Sequence, residues 1–347
     1  MKTDIEALVR PNIRTLCPYS TARDEYKGSV GIFLDANESP YPTGYNRYPD
    51  PRQQALKEQI SAIKGMPAAN IFLGNGSDEA IDLMFRIFCS PGENAVAISP
   101  SYGMYSVAAA INDVEMRPVQ LGEDFSLPVE ELLAACDAKT KLLFLCSPNN
   151  PSGNAFAQED LEFLIREFRG IVVLDEAYAD FSSRESLRSK VQEYPNLVVL
   201  QTLSKAWGLA GLRLGMAFAD EYIIRLMSAV KYPYNISQAA LQLASKALSQ
   251  PVGERLEEIK AQRSRLFDAL PSFGFVRRVY PSEANFLLVK VDDADALYNH
   301  LLSDGIIVRN RSRVKGCEGC LRITVGLPEE NDKLLQSLDN YEKGNIR

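Results

Sequence analysis

At 347 residues, with 46% hydrophobic and 24% charged residues, the chain has an ordinary globular composition and is long enough for one large and one smaller domain, which excludes a disordered or fibrous chain. Its 38 basic and 45 acidic residues leave a net charge of -7 with no stripe of Lys and Arg, so no nucleic-acid partner is expected. No apolar run reaches membrane-spanning length, and Met1-Lys2-Thr3-Asp4-Ile5-Glu6 places acids where a secretory signal needs a basic and then an apolar stretch, so the expectation is a cytoplasmic protein without a membrane partner.

In chain order, residues 1–35 read as an N-terminal arm or as part of the smaller domain. Arg47-Tyr48-Pro49-Asp50-Pro51 reads as extended, because residues before proline avoid the helical region. Residues 36–250 read as the large domain: short apolar runs at 95–99, 141–146, 171–174, 197–200 and 214–219 predict buried strands, and helical spacing predicts helices at 78–89 and 158–169. Past residue 232 the pattern shifts to two long helices, 237–250 and 252–270, and residues 251–347 read as a smaller α+β domain. Its predicted elements are strand 285–291, helix 293–304, strands 306–309 and 321–325, and helix 329–342. The alternation defines an α/β layered class.

Six cysteines, Cys17, Cys89, Cys136, Cys146, Cys317 and Cys320, are too few for a disulfide framework and are expected to be reduced. Cys317-Glu318-Gly319-Cys320 has the spacing of half a zinc site, but no second pair or histidine cluster completes four ligands, so a loop without metal is expected. The single histidine, His300, lies in a helical stretch and reads as a solvated helix residue. Serine–histidine triads and multi-histidine metal sites are thereby excluded, which leaves Lys, Asp, Glu or Tyr as general base.

Polar groups suited to a ligand gather where strands end. Gly74-Asn75-Gly76-Ser77-Asp78-Glu79 feeds a helix start, where free N–H groups bind anions, although a capped turn reads equally well. Ser101-Tyr102 offers a ring for stacking or for plain packing. Ser147-Pro148-Asn149-Asn150-Pro151-Ser152-Gly153 occupies the strand-end position at which open α/β sheets bind ligands, or forms a simple Asn-Pro turn. In Ile171-Val172-Val173-Leu174-Asp175-Glu176-Ala177-Tyr178 an acid ends a buried strand and a phenol follows three residues later; Asp175 could protonate a pyridine nitrogen and Tyr178 could donate to a phenolic oxygen. A magnesium-binding acid is the rival reading, and no phosphate-loop lysine motif accompanies it.

Thr202-Leu203-Ser204-Lys205-Ala206-Trp207-Gly208-Leu209-Ala210-Gly211-Leu212-Arg213-Leu214-Gly215 begins at another strand end. A hydroxyl-x-Ser-Lys, followed eight residues after the lysine by Arg in Gly-Leu-Arg-x-Gly, resembles the lysine motif of the pyridoxal-phosphate-dependent fold-type-I aminotransferases. The order of the earlier motifs agrees over nearly the whole chain. The resemblance implies a large domain with a mostly parallel sheet sandwiched by helices, and a smaller α+β domain built from the C-terminal part with the N-terminal segment. It implies pyridoxal 5′-phosphate as cofactor and Lys205 as the lysine that carries it. Asp175 would hold the ring nitrogen, Asn150 and Tyr178 the O3′ oxygen, and Tyr102 would stack on the ring. Gly76, Ser77, Asp78, Thr202, Ser204 and Arg213 would surround the phosphate, and Tyr48 would arrive from the partner subunit of a homodimer. Asp78 and Glu79 bring negative charge near that phosphate, and both are expected to point outward, where acids in a first helical turn favour the dipole.

An aminotransferase takes a proton from the substrate Cα and returns it to the cofactor, and a lysine freed by the incoming amine can serve both atoms. Gly319-Cys320-Leu321-Arg322-Ile323-Thr324-Val325-Gly326, Arg309 thirteen residues before Arg322, Asp35-Ala36-Asn37-Glu38-Ser39-Pro40, Asn46-Arg47-Tyr48-Pro49 and Pro18-Tyr19 are similar to the branch that acts on histidinol phosphate. That similarity implies histidinol phosphate and glutamate/2-oxoglutarate as substrates, with Arg309 and Arg322 receiving phosphate or carboxylate and Tyr19 and Asn37 lining the pocket. A threonine-phosphate decarboxylase or an aromatic-amino-acid aminotransferase would share the same scaffold. A cofactor-binding regulator without catalysis is opposed by the intact Lys205, Asp175 and arginines and by the lack of an appended DNA-binding segment.

Overall fold

The computed structural model describes residues 4–20 and 31–345. Seven strands form the first sheet: β1 (Ile71–Asn75), β2 (Asn94–Ser99), β3 (Glu115–Gln120), β4 (Thr140–Cys146), β5 (Ile171–Asp175), β6 (Leu197–Thr202) and β7 (Leu214–Phe218), in the order β1-β7-β6-β5-β4-β2-β3. The pairs from β6 through β5, β4 and β2 to β3 are parallel, whereas β7 runs against both β1 and β6. Side chains alternate between faces, and each face meets its own apolar layer. Phe72, Ala97, Leu142, Phe144, Val173 and Val198 face the helices Ser77–Phe88, Met104–Ile111 and Glu221–Val230. Leu73, Val96, Leu143, Leu145, Val172 and Val199 face Gln54–Lys64, Gln158–Glu167 and Gln238–Leu248. Burial on both faces, worth about 1.5–3 kcal/mol per large apolar side chain, is why these strands are continuous apolar runs in the sequence.

The second sheet, in the order β10-β11-β9-β8, contains β8 (Val276–Val279), β9 (Phe286–Val291), β10 (Arg309–Asn310) and β11 (Cys320–Thr324), all antiparallel. One face, with Leu287, Val289, Leu321 and Ile323, packs on the helices Gly253–Ala269, Ala294–Ser303 and Pro328–Asn345. The other, with Phe286, Leu288 and Cys320, joins the apolar layer of the first sheet. The two sheets thus share a core across the line where they meet.

Several elements differ from the sequence reading. Strand β3 contains Pro118 and Arg117, and β8 contains Arg277 and Arg278; both are edge strands, half open to solvent, so neither shows an apolar run. The strand predicted at 306–309 shrinks to the two-residue β10 at the other edge. The N-terminal segment, read as an arm or as part of the smaller unit, lies in its described part on the first sheet's outer layer: Ile5 and Val9 are buried there, and the Arg10 amide donates to Ile87 O at 3.0 Å. His300 is half-buried rather than solvated, with Nε2 donating to Ser337 O at 3.0 Å.

Candidate active site

The parallel strands all end at one edge of the first sheet, and β7, running the other way, begins there. Asn75, Ser99, Cys146, Asp175 and Thr202 are strand ends, and Arg213 immediately precedes β7. Ligands of open α/β sheets bind at such an edge. A cavity of about 880 Å³ opens there, with the arginine-bearing edge of the second sheet as its other wall. It is lined by Gly76, Ser77, Asp78, Tyr102, Asn150, Asp175, Tyr178, Thr202, Ser204, Lys205, Arg213, Arg309 and Arg322, all singled out from the sequence. Tyr48, Tyr19 and Asn37 do not line it. Tyr48 stacks on Tyr234 with ring centroids 4.4 Å apart, Tyr19 is exposed, and Asn37 is exposed in a left-handed turn with φ 54°.

At the β1–β7 end the backbone is drawn tight. Gly215 lies so close to the turn that a Cβ there would sit 2.1 Å from Ser77 N, and Gly76, with φ 77°, is the residue type that turn tolerates. No side chain caps the helix beginning at Ser77, so its first amides are open to an anion. Arg213, itself left-handed with φ 54°, turns its guanidinium beside Gly76. The expectation that Asp78 and Glu79 point outward is wrong. Asp78 accepts from Tyr102 Oη at 3.1 Å and from Arg213 Nη2 at 3.4 Å. Glu79 accepts from the Asn75 amide and from Asn235 Nδ2 at 2.9 Å. The helix dipole favours an acid in this turn in either orientation, so the partners inside the fold decide the direction. Thr202 Oγ1 donates to Leu214 O at 3.2 Å and accepts from the Ser204 amide at 3.1 Å, which fixes the loop leading to Lys205.

In the middle of the cavity Asp175 is fully enclosed. Its Oδ2 accepts from Tyr105 Oη at 2.7 Å and its Oδ1 from the Ala177 amide at 3.0 Å. Burial pushes its carboxyl pKa up, while the Tyr105 and Ala177 hydrogen bonds pull it back. Lys205 has no hydrogen-bond partner among the described residues and lines the cavity, with Nζ 5.7 Å from the Tyr178 ring centre. Burial first, then the charge of Arg322, lowers its pKa, so the amine gives up its proton more readily than an ordinary lysine. Tyr178 is buried edge-on against Phe286, and burial raises its pKa, which keeps the phenol a donor. Burial first, then Asp78, raises Tyr102 to about 12.

From the second sheet, Arg322 places Cζ 5.2 Å from the Phe286 ring centre and donates from Nη1 to Asn150 Oδ1 at 2.5 Å. Its strand partner in register is Arg309. Burial lowers the Arg322 pKa, and its Nε is buried without a partner. Among the lining residues that sequence reasoning missed are Tyr105 and Arg311. Tyr105 lies in an apolar helix and reads as core; Arg311 follows Arg309 by two, the strand period, which was the available signal. Chemically, the cavity joins a proton-accepting amine and a buried carboxylate to cationic groups at both ends, an arrangement for amine chemistry on an anionic substrate.

The comparisons with known proteins agree with that chemistry. The sequence pattern of the family described as aminotransferase class I and II matches residues 36–338, and the chain belongs to that family. Within it, the chain is 53% identical to the histidinol-phosphate aminotransferase of Parabacteroides distasonis over 342 residues, which cover 98% of this chain and 99% of that one. The crystal structure of the histidinol-phosphate aminotransferase from Clostridium acetobutylicum superposes with a TM-score of 0.81 at 26% identity, over 87% of this chain and 92% of that one. The Sinorhizobium meliloti enzyme of the same name, in complex with pyridoxal-5′-phosphate, gives 0.80 at 26% identity, over 89% and 90%.

Proposed function

We propose that the protein is a pyridoxal-phosphate-dependent aminotransferase of histidine biosynthesis, moving the amino group of histidinol phosphate to 2-oxoglutarate, reversibly, to give imidazole-acetol phosphate and glutamate. The observation that carries this reading is the single cavity in which Lys205 and Asp175 lie with Arg213 and the Gly76–Ser77 turn and also with Arg309 and Arg322. The donor set fits the cofactor: an uncapped helix start, a turn too tight for a Cβ at Gly215 and an adjacent arginine suit a phosphate, and a buried carboxylate suits a protonated ring nitrogen.

When bound, pyridoxal phosphate supplies a conjugated ring that accepts the electron pair released as the proton leaves the amine-bearing carbon. The Ser77 amide, the Ser204 hydroxyl and Arg213 would hold its phosphate, with Asp78 orienting Arg213, while Gly76, whose amide donates to Arg213 O, and Thr202, whose hydroxyl donates to Leu214 O, would shape the turn and loop around it. Tyr102 stacks on the ring, and Asn150 and Tyr178 donate to its phenolic oxygen. Asp175 keeps the ring nitrogen protonated. Lys205 would be the lysine that carries the cofactor, and once the incoming amine has displaced it, its freed Nζ would move the proton from the substrate's amine-bearing carbon; its lowered pKa supports that use as a base. Arg309 and Arg322 bind the phosphate of histidinol phosphate in one half of the reaction and the distal carboxylate of glutamate in the other, since a guanidinium fork suits both. Tyr19 and Asn37 complete the pocket on substrate binding.

The cofactor-binding unit comprises residues 36–250 and the smaller unit 251–347, with 1–35 as an arm, in a cytoplasmic homodimer. Tyr48 serves the partner's cavity. Its position outside its own cavity, on an N-terminal stretch that also exposes Ile32, Leu34, Tyr41 and Tyr45, supports that role. The test is glutamate formation from 2-oxoglutarate by the holoenzyme with histidinol phosphate, threonine phosphate, phenylalanine and aspartate in turn. Histidinol phosphate should give the highest kcat/KM. A higher value for phenylalanine, or release of carbon dioxide from threonine phosphate, would overturn the assignment.

A further inference from the structure

The second sheet presents more cationic charge to the cavity than a two-arginine anion site requires. Alternation along β10, continued one residue beyond it by the Arg311 amide bond to Cys320 O, sends residues 309 and 311 to one face and 310 to the other. Asn310 accordingly reaches away, donating to Asp295 Oδ1 at 2.6 Å on the helix Ala294–Ser303. Arg309 stands opposite Arg322, and the Arg311 amide continues the ladder by donating to Cys320 O at 2.9 Å. All three guanidinium groups line the same cavity. None of them pairs with a carboxylate among the described residues, although the chain as a whole carries a net charge of -7. Arg311 Nε, like Arg322 Nε, is buried without a hydrogen-bond partner. A buried cationic donor left unpaired is unfavourable unless an anion completes it. Burial lowers the Arg311 pKa, and the charges of Arg322 and Arg309 lower it further, as expected for cations crowded around one spot.

Two anions have to use this spot in the reaction proposed above, and they differ in capacity. A carboxylate has two oxygens and a single charge, which two arginines satisfy. A phosphate monoester has three acceptor oxygens and a charge of about -1.5 to -2 at pH 7. A third guanidinium therefore adds little for the one and a charge-assisted hydrogen bond for the other. We infer that Arg311 is the residue that sets the preference for phosphorylated amines over dicarboxylic amino acids, engaging the phosphate oxygen that Arg309 and Arg322 leave unpaired. This inference rests on the proposed aminotransferase reading of the cavity.

The test compares the wild-type holoenzyme with Arg311→Gln and Arg311→Lys, measuring kcat and KM for histidinol phosphate and for glutamate, and inhibition by inorganic phosphate with glutamate as the varied substrate. Arg311→Gln should lower kcat/KM for histidinol phosphate by about ten- to a hundredfold, mainly through KM, while glutamate changes by no more than about threefold. Inorganic phosphate should lose potency by a similar factor. Arg311→Lys, which keeps the charge but not the planar fork, should fall between the two. Equal losses for both substrates, or no loss for either, would overturn the assignment. Retained glutamate turnover shows that the Gln variant is folded; should it not fold, unchanged selectivity in the Lys variant overturns the inference by itself. If the wild type fails to turn over histidinol phosphate at all, the functional reading fails, and the change in phosphate inhibition between wild type and variants still decides the role of Arg311.

Discussion

Asp175→Asn separates the charge of the central carboxylate from its shape. Asp175 is 3% exposed and accepts from Tyr105 Oη at 2.7 Å and the Ala177 amide at 3.0 Å. Asparagine fills the same volume; its Oδ1 retains the Ala177 bond and its Nδ2 can donate to Tyr105 Oη, while the Tyr105 hydroxyl proton loses its carboxylate acceptor. Burial raises the Asp175 pKa in the fold. A raised carboxyl pKa means that the native chain binds more protons than the unfolded one, so stability falls as pH rises from the unfolded carboxyl value through the folded one. Asparagine removes that slope, which offsets the lost Tyr105 hydrogen bond, and the cofactor-free variant should melt within a few degrees of wild type at pH 7. What disappears is the negative charge facing the cavity. A hydrogen bond to a charged group contributes about 1.5–3 kcal/mol, and a charge pair at about 4 Å in an effective dielectric of about 20 contributes about 4 kcal/mol. Turnover with saturating cofactor should therefore fall by about one to three orders of magnitude. Glutamate formation and thermal melting on the same preparations decide the matter. Turnover within about threefold of wild type would refute the role given to Asp175, as would a loss of stability large enough to account for the lost activity.

Gly215→Ala places a Cβ 2.1 Å from Ser77 N and 2.4 Å from Gly76 C, both backbone atoms. The turn has to move, at a cost of about 1–3 kcal/mol. The melting temperature should drop and a titration with pyridoxal phosphate should show weaker binding; wild-type affinity would contradict the phosphate site drawn at this turn. Tyr105→Phe removes one of the hydrogen bonds that lower the Asp175 pKa. The carboxyl should ionise at higher pH, and the acid limb of the kcat–pH profile should move upward. An unchanged acid limb would show that Tyr105 does not act through Asp175.

The site was legible in the sequence where it depends on strand ends. Runs buried on both faces stop at polar residues, and Asp175, Thr202 and Asn150 stand at or just beyond such stops. The turn at Gly76 and the arginine at 213 could be read together only because the motif order resembles a known family; nothing local announces that β7 runs backwards and brings Arg213 to the common edge. Edge strands such as β3 and β8 escaped because an edge needs little apolar pattern. Tyr105 escaped because its helix is mostly apolar, and its ring stacks on Phe144 as any core residue would, while its hydroxyl meets a carboxylate 70 residues away. The orientation of Asp78 was likewise decided by Arg213, far along the chain. Tyr19, Asn37 and Tyr48 entered by resemblance alone, and a single chain leaves all three outside the cavity.

Lys205 is the centre of the account, and one measurement addresses it directly. The holoenzyme is reduced with borohydride, digested, and mapped by mass spectrometry. A cofactor-derived adduct should appear on Lys205 and on no other lysine, and Lys205→Ala treated in the same way should carry none and show no turnover. An adduct on a different lysine of the wild-type chain, or a Lys205→Ala variant that still carries one and turns over, would contradict it.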